Sequence, residues 1–278
     1  MPEQSSPEII LLRLNRFAPE IRDFGSRLQR ESGRQLICFV DETQASVDVA
    51  PFPKVSLTVE ALRRLRLHVP PDVGWRCGDY GFYLARTRFP STTHFWMIEY
   101  DVRISGHHLA DFFDHFATHP NVDLIAADLR QTDGWFWRDS VRSRNVPAYR
   151  CFFPLTRLSA PAIDRLLLQR QSMSRNPVRR LFWANDEALV ATTLANDGSL
   201  CRDLNGFGRQ FYTEATFSYI ALRDGDALNL DTDEITLYHP VLRGEDYQRK
   251  LVQQARPETR ATRFRRRVAR VLSSQLRW

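Results

Sequence analysis

The chain has 278 residues, 43% hydrophobic and 26% charged, which suits one large core and excludes a disordered, collagenous or disulfide-stapled protein. Its net charge of +6 is uneven: residues 248–278 hold ten of the 39 basic residues and one acid, so the tail carries +9 and the body −3. An acidic body argues against nucleic acid as the partner of the whole protein. No apolar run approaches the roughly 20 residues that cross a bilayer. The N-terminus lacks the basic start of a signal peptide. The four cysteines form no CxxC pair, and together these features predict a reducing, cytoplasmic setting.

Ile9–Leu14 is a short apolar run that predicts a buried strand. Ile21, Phe24 and Leu28 recur at helical spacing over 18–32, and Gly33 is a natural stop. Gln35–Val40 predicts a second strand, Val55–Thr58 a third, and Val59–Leu67 a helix. Gly78-Asp79 opens an aromatic helix that runs to Arg88 and is ended by Pro90. His94–Val102 reads as a strand, Leu109–Phe116 as a helix and Val122–Ala126 as a strand. This alternation predicts an α/β fold with a mainly parallel sheet, whose ligands bind beyond the carboxyl ends of the strands. The second half is less regular: helices over Ala160–Gln171 and Asp186–Leu194, then strands over Phe217–Leu222 and Glu234–Tyr238.

The most informative segment is WMIEYDVRISG, residues 96–106. Glu99 and Asp101 stand two apart at the end of an apolar strand, and an extended backbone points both to one face. Two carboxylates that close repel unless a cation separates them, and Mg²⁺ or Mn²⁺ prefers such oxygens. A plain strand end with one carboxylate paired to Arg103 has the same spacing.

The stretch FWMIEYDVRISG resembles the DxD region of nucleotide-sugar glycosyltransferases with the GT-A fold. It looks most like the aromatic-rich YW-x-x-E-x-D-V-x-F segment of fungal α-mannosyltransferases. The helix from Gly78-Asp79-Tyr80 through Arg86 to Phe89-Pro90 is similar to one in a group of bacterial proteins carrying the same strand. The similarity covers roughly 9–130 in element order and is sharp over about 78–106, with Glu99 in place of the first Asp of the motif.

The resemblance implies a GT-A-like catalytic domain over 1–255, with a donor half at about 1–130 and an irregular acceptor half at about 131–255. It implies transfer of a sugar from a nucleoside-diphosphate donor to a glycan or lipid-linked acceptor. Glu99 and Asp101, completed by the late His239, would hold Mn²⁺ or Mg²⁺ at the donor diphosphate. Asp41 and Glu42, after the second strand, are donor-contact candidates, or else a solvated loop. Asp79 and Arg86 are further donor candidates; helix capping and a surface ion pair are their plainer roles. Glu187 is the candidate base, with Asp186 as N-cap and substitute. Trp135, Trp137 and Arg138 form an aromatic cluster suited to stacking on an acceptor sugar, or to core packing. Residues 256–278 form a basic amphipathic helix that fits an anionic membrane surface on the inner face of the cell membrane, or docks on the body. Two other function classes remain at this point: a non-catalytic nucleotide-sugar-fold module recruiting partners at a membrane, and nucleic-acid binding by the arginine-rich tail.

Overall fold

A computed structural model describes residues 7–141 and 146–255. The basic helix expected within 256–278 lies outside them. In chain order the first half runs β1 (Glu8–Leu14), α1 (Pro19–Ser32), β2 (Gln35–Asp41), β3 (Lys54–Leu57), α2 (Val59–Arg64), α3 (Val73–Arg76), α4 (Asp79–Arg88), β4 (His94–Glu99), β5 (Arg103–Ile104), α5 (Leu109–Ala117) and β6 (Leu124–Gln131). The second half runs α6 (Arg138–Val141), β7 (Tyr149–Ser159), α7 (Ala160–Arg175), α8 (Pro177–Leu181), α9 (Asp186–Asn196) and β8 (Cys201–Asp203). After a 3₁₀ turn at Leu204–Phe207 come β9 (Arg223–Asp224), β10 (Leu237–Tyr238), β11 (Val241–Leu242) and α10 (Gly244–Ala255).

Seven strands form one sheet in the order β3-β2-β1-β4-β7-β6-β8, with β7 antiparallel to its neighbours β4 and β6 and every other pairing parallel. The α/β class and the mainly parallel sheet flanked by helices are as expected. The apolar runs are continuous because both faces are covered. Ile9, Leu11, Ile37, Phe39, Phe95 and Met97 face α4, α7 and α9, while Ile10, Leu12, Cys38, Val40, Trp96 and Ile98 face α1 and α5. Gly33 ends α1 in the left-handed region, at φ 66°, where a side chain is strained.

Several expectations change. The strand expected over His94–Val102 ends at Glu99. The partner strand explains why: β4 pairs with β7 as far as Ile98 opposite Leu155, and Pro154 comes next with no N–H to continue the ladder. The chain turns there, with Val102 N donating to Glu99 O at 3.0 Å. The helix expected over Val59–Leu67 stops at Arg64. Phe217–Leu222 is not a strand; Phe217 makes a single bridge to His239, and Tyr219 and Ile220 are exposed. Of Glu234–Tyr238 only Leu237–Tyr238 is a strand. That short strand pairs antiparallel with β5, Tyr238 opposite Arg103, and so delivers His239 beside the turn that follows β4.

Candidate metal and transfer site

Glu99 is the last residue of β4, and Asp101 sits two residues into the turn. The two carboxylates are brought together by this turn rather than by strand periodicity. His239 approaches from β10, its Nε2 lying 3.5 Å from Asp101 Oδ1 and 3.8 Å from Glu99 Oε2. One ligand atom from each of the three residues lies within 4.8 Å of the others. Phe152 and Phe217 pack on the imidazole at 5.1 and 5.8 Å between ring centroids. Its other nitrogen, Nδ1, faces Ser218 O at 3.4 Å, which turns Nε2 toward the carboxylates. Val241 N donates to Asp101 O at 2.8 Å and fixes the turn from the same side.

Asp101 Oδ1 is buried and has no hydrogen-bond partner. A buried carboxylate oxygen without a donor is costly. Two carboxylates and one imidazole converging on that oxygen form a donor set suited to Mn²⁺ or Mg²⁺. Burial opposes ionisation of Asp101, but the His239 charge, together with backbone hydrogen bonding and Arg103, outweighs it and holds the carboxyl below its usual range. In turn, burial lowers the basicity of His239, and Asp101 and Glu99 more than restore it.

Arg13, not Arg103, is the cation beside Glu99. Its Nη1 donates to Glu99 Oε1 at 2.6 Å, because the parallel register of β1 and β4 sets the two residues side by side. Arg103 instead donates to Tyr100 O and Val102 O and lies over the Phe24 ring.

The two acids at the start of α9 adjoin this network. Asn185, not Asp186, is the N-cap, accepting from Ala188 N at 3.1 Å. Asp186 is buried, accepts from Gly78 N at 2.8 Å and lies 3.6 Å from Arg13 Nη1. Burial pushes its carboxyl up to about 7, with Arg13 offsetting part of the rise. Burial and the neighbouring Asp186 push Glu187 up to about 8, and Asn185 Nδ2 donates to Glu187 Oε2 at 3.2 Å. Both groups would change charge near neutral pH.

The donor candidates divide. Asp41 ends β2 and accepts from Thr43 N and Oγ1 at 3.0 and 2.7 Å, with its other oxygen against Gly74. Glu42 is committed to its own loop, taking Lys54 Nζ at 2.6 Å and Val47 N at 2.7 Å. Burial opposes this, but those bonds hold its carboxyl down at about 2. Asp79 is removed from any donor contact: it is fully buried, gripped by Arg170 at 2.7 and 2.8 Å and by the Tyr83 hydroxyl at 2.7 Å. It caps nothing, since Gly78 occupies the N-cap of α4. Arg86 lies near the far end of α4, paired with Asp164 beside Pro7 and Ser159, at the amino ends of the parallel strands.

Among the acceptor candidates, Trp137 stacks obliquely on Trp75 at 6.1 Å and lies under the Arg76 guanidinium at 5.2 Å. Trp135 lies beneath Arg150 at 5.3 Å. Neither Trp is in the core, and Trp75, which the sequence reading did not single out, is 65% exposed. Arg138 is tied to Asp133 within its own loop. Of the four cysteines Cys38, Cys77 and Cys151 are buried, and all are free thiols.

No protein-family model matches the chain, and no curated protein matches it. Two solved structures are similar in chain path. One is core-mannan synthase A from Aspergillus fumigatus in its Mn/GDP form, at 10% identity and a TM-score of 0.42 over 73% of this chain and 74% of that one. The other is a glycosyltransferase involved in glycosylation of the major capsid of PBCV-1, at 12% identity and a TM-score of 0.38 over 70% and 80%. At that distance neither likeness bears on which residues act or what they act on.

Proposed function

We propose that this chain is a metal-dependent glycosyltransferase that moves a sugar from a nucleoside-diphosphate donor to a glycan or lipid-linked acceptor. The observation that carries the reading is the convergence of Glu99, Asp101 and His239 at the carboxyl ends of the strands, where Asp101 Oδ1 is buried, accepts no hydrogen bond and faces His239 Nε2 at 3.5 Å. Glu99, Asp101 and His239 would hold Mn²⁺ or Mg²⁺. When bound, such an ion supplies Lewis-acid neutralisation of charge on the leaving diphosphate.

The remaining steps belong to side chains. Arg13 keeps Glu99 in place through its 2.6 Å bond. Asp41, at the end of β2, is placed for a ribose or base contact. Glu187 is the base that takes the acceptor hydroxyl proton, its carboxyl held by Asn185 and already raised to about 8. Asp186 raises it further toward that range and is not itself the proton acceptor. Trp135, Trp137 and Trp75 form the lip on which an acceptor sugar stacks. Among the described residues no helix is long and apolar enough to cross a membrane. A lipid-linked acceptor would bring the enzyme to the inner face of the cell membrane, with the basic segment 256–278 against anionic headgroups.

Calorimetric titration with UDP, GDP and their sugar conjugates, with Mn²⁺ and with EDTA, tests the reading. Nucleotide binding that needs Mn²⁺ and is lost in Glu99→Ala/Asp101→Ala supports it; binding indifferent to EDTA, or none, overturns it. With the donor in hand, kcat/KM rises with pH up to about 8. Glu187→Gln removes that rise and lowers kcat by about 10²–10⁴-fold.

A further inference from the structure

Arg13 is the only charged side chain in the apolar run of β1 that follows Glu8, and it stands one residue before the end of the strand. Its two terminal nitrogens face different partners. Nη1 donates to Glu99 Oε1 at 2.6 Å and lies 3.6 Å from Asp186 Oδ2, beyond hydrogen-bond reach. Nη2 donates to Gly74 O at 2.7 Å and Trp75 O at 3.0 Å. One guanidinium therefore joins a proposed metal ligand to the backbone that carries Trp75.

The segment it holds is clamped from both sides. A methyl on Gly74 would overlap the Asp41 carboxylate, and one on Gly78 would overlap the Arg13 guanidinium and lie 2.7 Å from Asp186 Oδ2. Residues 74–78 are thus pressed between Asp41 and the Arg13–Asp186 pair, and only glycine fits at the two contact points. α3, with four residues, has little packing of its own to fix it: Val73 is its one buried residue. At its outer end Trp75 is 65% exposed, and its ring meets Trp137 at 6.1 Å.

Resting on the proposed function, we propose that Arg13 is a positioning residue that holds Glu99 until a divalent cation displaces it, and that it transmits the cation's arrival to the aromatic lip. A cation at Glu99 competes with Arg13 for the same carboxylate and weakens their pair. The guanidinium then has a second carboxylate, Asp186, whose Oδ2 lies 3.6 Å from the same nitrogen, just beyond bonding distance. A shift toward it carries the carbonyls of Gly74 and Trp75 along, because Nη2 holds both. Lysine cannot do this: a single ammonium gives the charge but not a planar fork that spans a carboxylate and two carbonyls. The acceptor lip would take its working position only when the metal end is loaded, which orders the binding of the two substrates.

The test labels the full chain with 5-fluorotryptophan and assigns the Trp75 ¹⁹F signal by its loss in Trp75→Phe. Mg²⁺ is the titrant, since Mn²⁺ would broaden nearby signals whatever the coupling, and calorimetry gives its affinity in parallel. In the wild type the Trp75 signal shifts and saturates with the calorimetric Kd. Arg13→Met removes the side chain that the cation must displace, so Mg²⁺ binds at least as tightly, and at saturating Mg²⁺ the Trp75 signal no longer moves. Arg13→Lys keeps a charge beside Glu99 but loses the shift, and it carries the comparison if R13M fails to fold. A wild-type Trp75 signal that ignores bound Mg²⁺, or one that shifts equally in R13M or R13K, overturns the coupling and leaves the transferase reading standing. A wild type that binds neither Mg²⁺ nor Mn²⁺ overturns the metal reading itself and the proposal with it.

Discussion

At the amino edge of the sheet, Glu8 accepts from Arg157 Nε at 2.9 Å and lies 2.8 Å from its Nη2, with Arg34 at 3.4 Å. There too, Arg86 pairs with Asp164 at 3.1 Å, and Ser159 donates to Asp123 at 2.6 Å. At the carboxyl edge, four acids, Glu99, Asp101, Asp186 and Glu187, gather with Arg13 beside Glu99 and Asp186, and His239 beside Glu99 and Asp101. A groove of about 980 Å³ lies at the amino edge, lined in part by that edge's paired groups. The amino edge has settled its charges internally, whereas the carboxyl edge crowds acids so closely that two are raised into the neutral range, beside a Glu99–Asp101–His239 cluster that a bound cation would complete.

The contrast is sharpest in substitutions that remove one charge. Arg157→Met strips the buried Glu8 of its main partner and lowers stability by about 3–5 kcal/mol in denaturant titration, while leaving metal and nucleotide affinity as they are. Asp101→Asn acts mainly on the metal. It removes the carboxylate that pairs with His239, so the metal-free melting temperature falls, though less than in Arg157→Met, and added Mn²⁺ no longer raises it. A melting temperature that Mn²⁺ still raises in Asp101→Asn would show that the cation does not bind through this acid, and the two edges would then differ only in degree.

A smaller effect follows from pH. Asp186 and Glu187 sit at about 7 and about 8 in the fold, against ordinary values of 3.8 and 4.5. Between about pH 4 and 8 the native state holds protons that the unfolded chain has released, so stability falls as pH rises through that window. The stability these two groups contribute is full below their unfolded values and lost above their folded ones. In Asp186→Asn/Glu187→Gln the melting temperature should therefore depend less on pH over this range than in the wild type. Equal slopes would mean that the two acids ionise normally and that the carboxyl edge carries less strain than its geometry implies.

Much of this arrangement was legible in the sequence. Continuous apolar runs identify β1, β2 and β4 because a parallel sheet covered on both faces needs them. Helical spacing with Gly33 marks α1. Glu99, Asp101 and His239 were legible from residue type and position at strand ends. β7 was not: Pro154 and two arginines interrupt its apolar pattern, and only the neighbouring strands show that Arg157 is buried with Glu8. Phe217–Leu222 has a strand's composition but turns outward, since aromatic content alone does not supply a pairing partner. The partners of the acids were illegible for one shared reason. Arg13 meets Glu99 across 86 residues and Arg170 meets Asp79 across 91, and sheet register and helix packing set both meetings. Spacing along the chain favoured Arg103 instead. The available signal for Arg13 was its solitary charge near the end of an otherwise apolar run.

The lone antiparallel strand has a consequence for how such a chain can change over time. β7, from the second half of the sequence, lies between β4 and β6 of the first, hydrogen-bonded to both. A cut near residue 130 would leave β4 and β6 with open edges facing a missing strand. The two halves of the chain are interlaced through this seam, so neither could be inherited, exchanged or shuffled as an independent cassette. New specificities would have to arise by rewriting the turns at the carboxyl edge, residue by residue, over a sheet that stays whole.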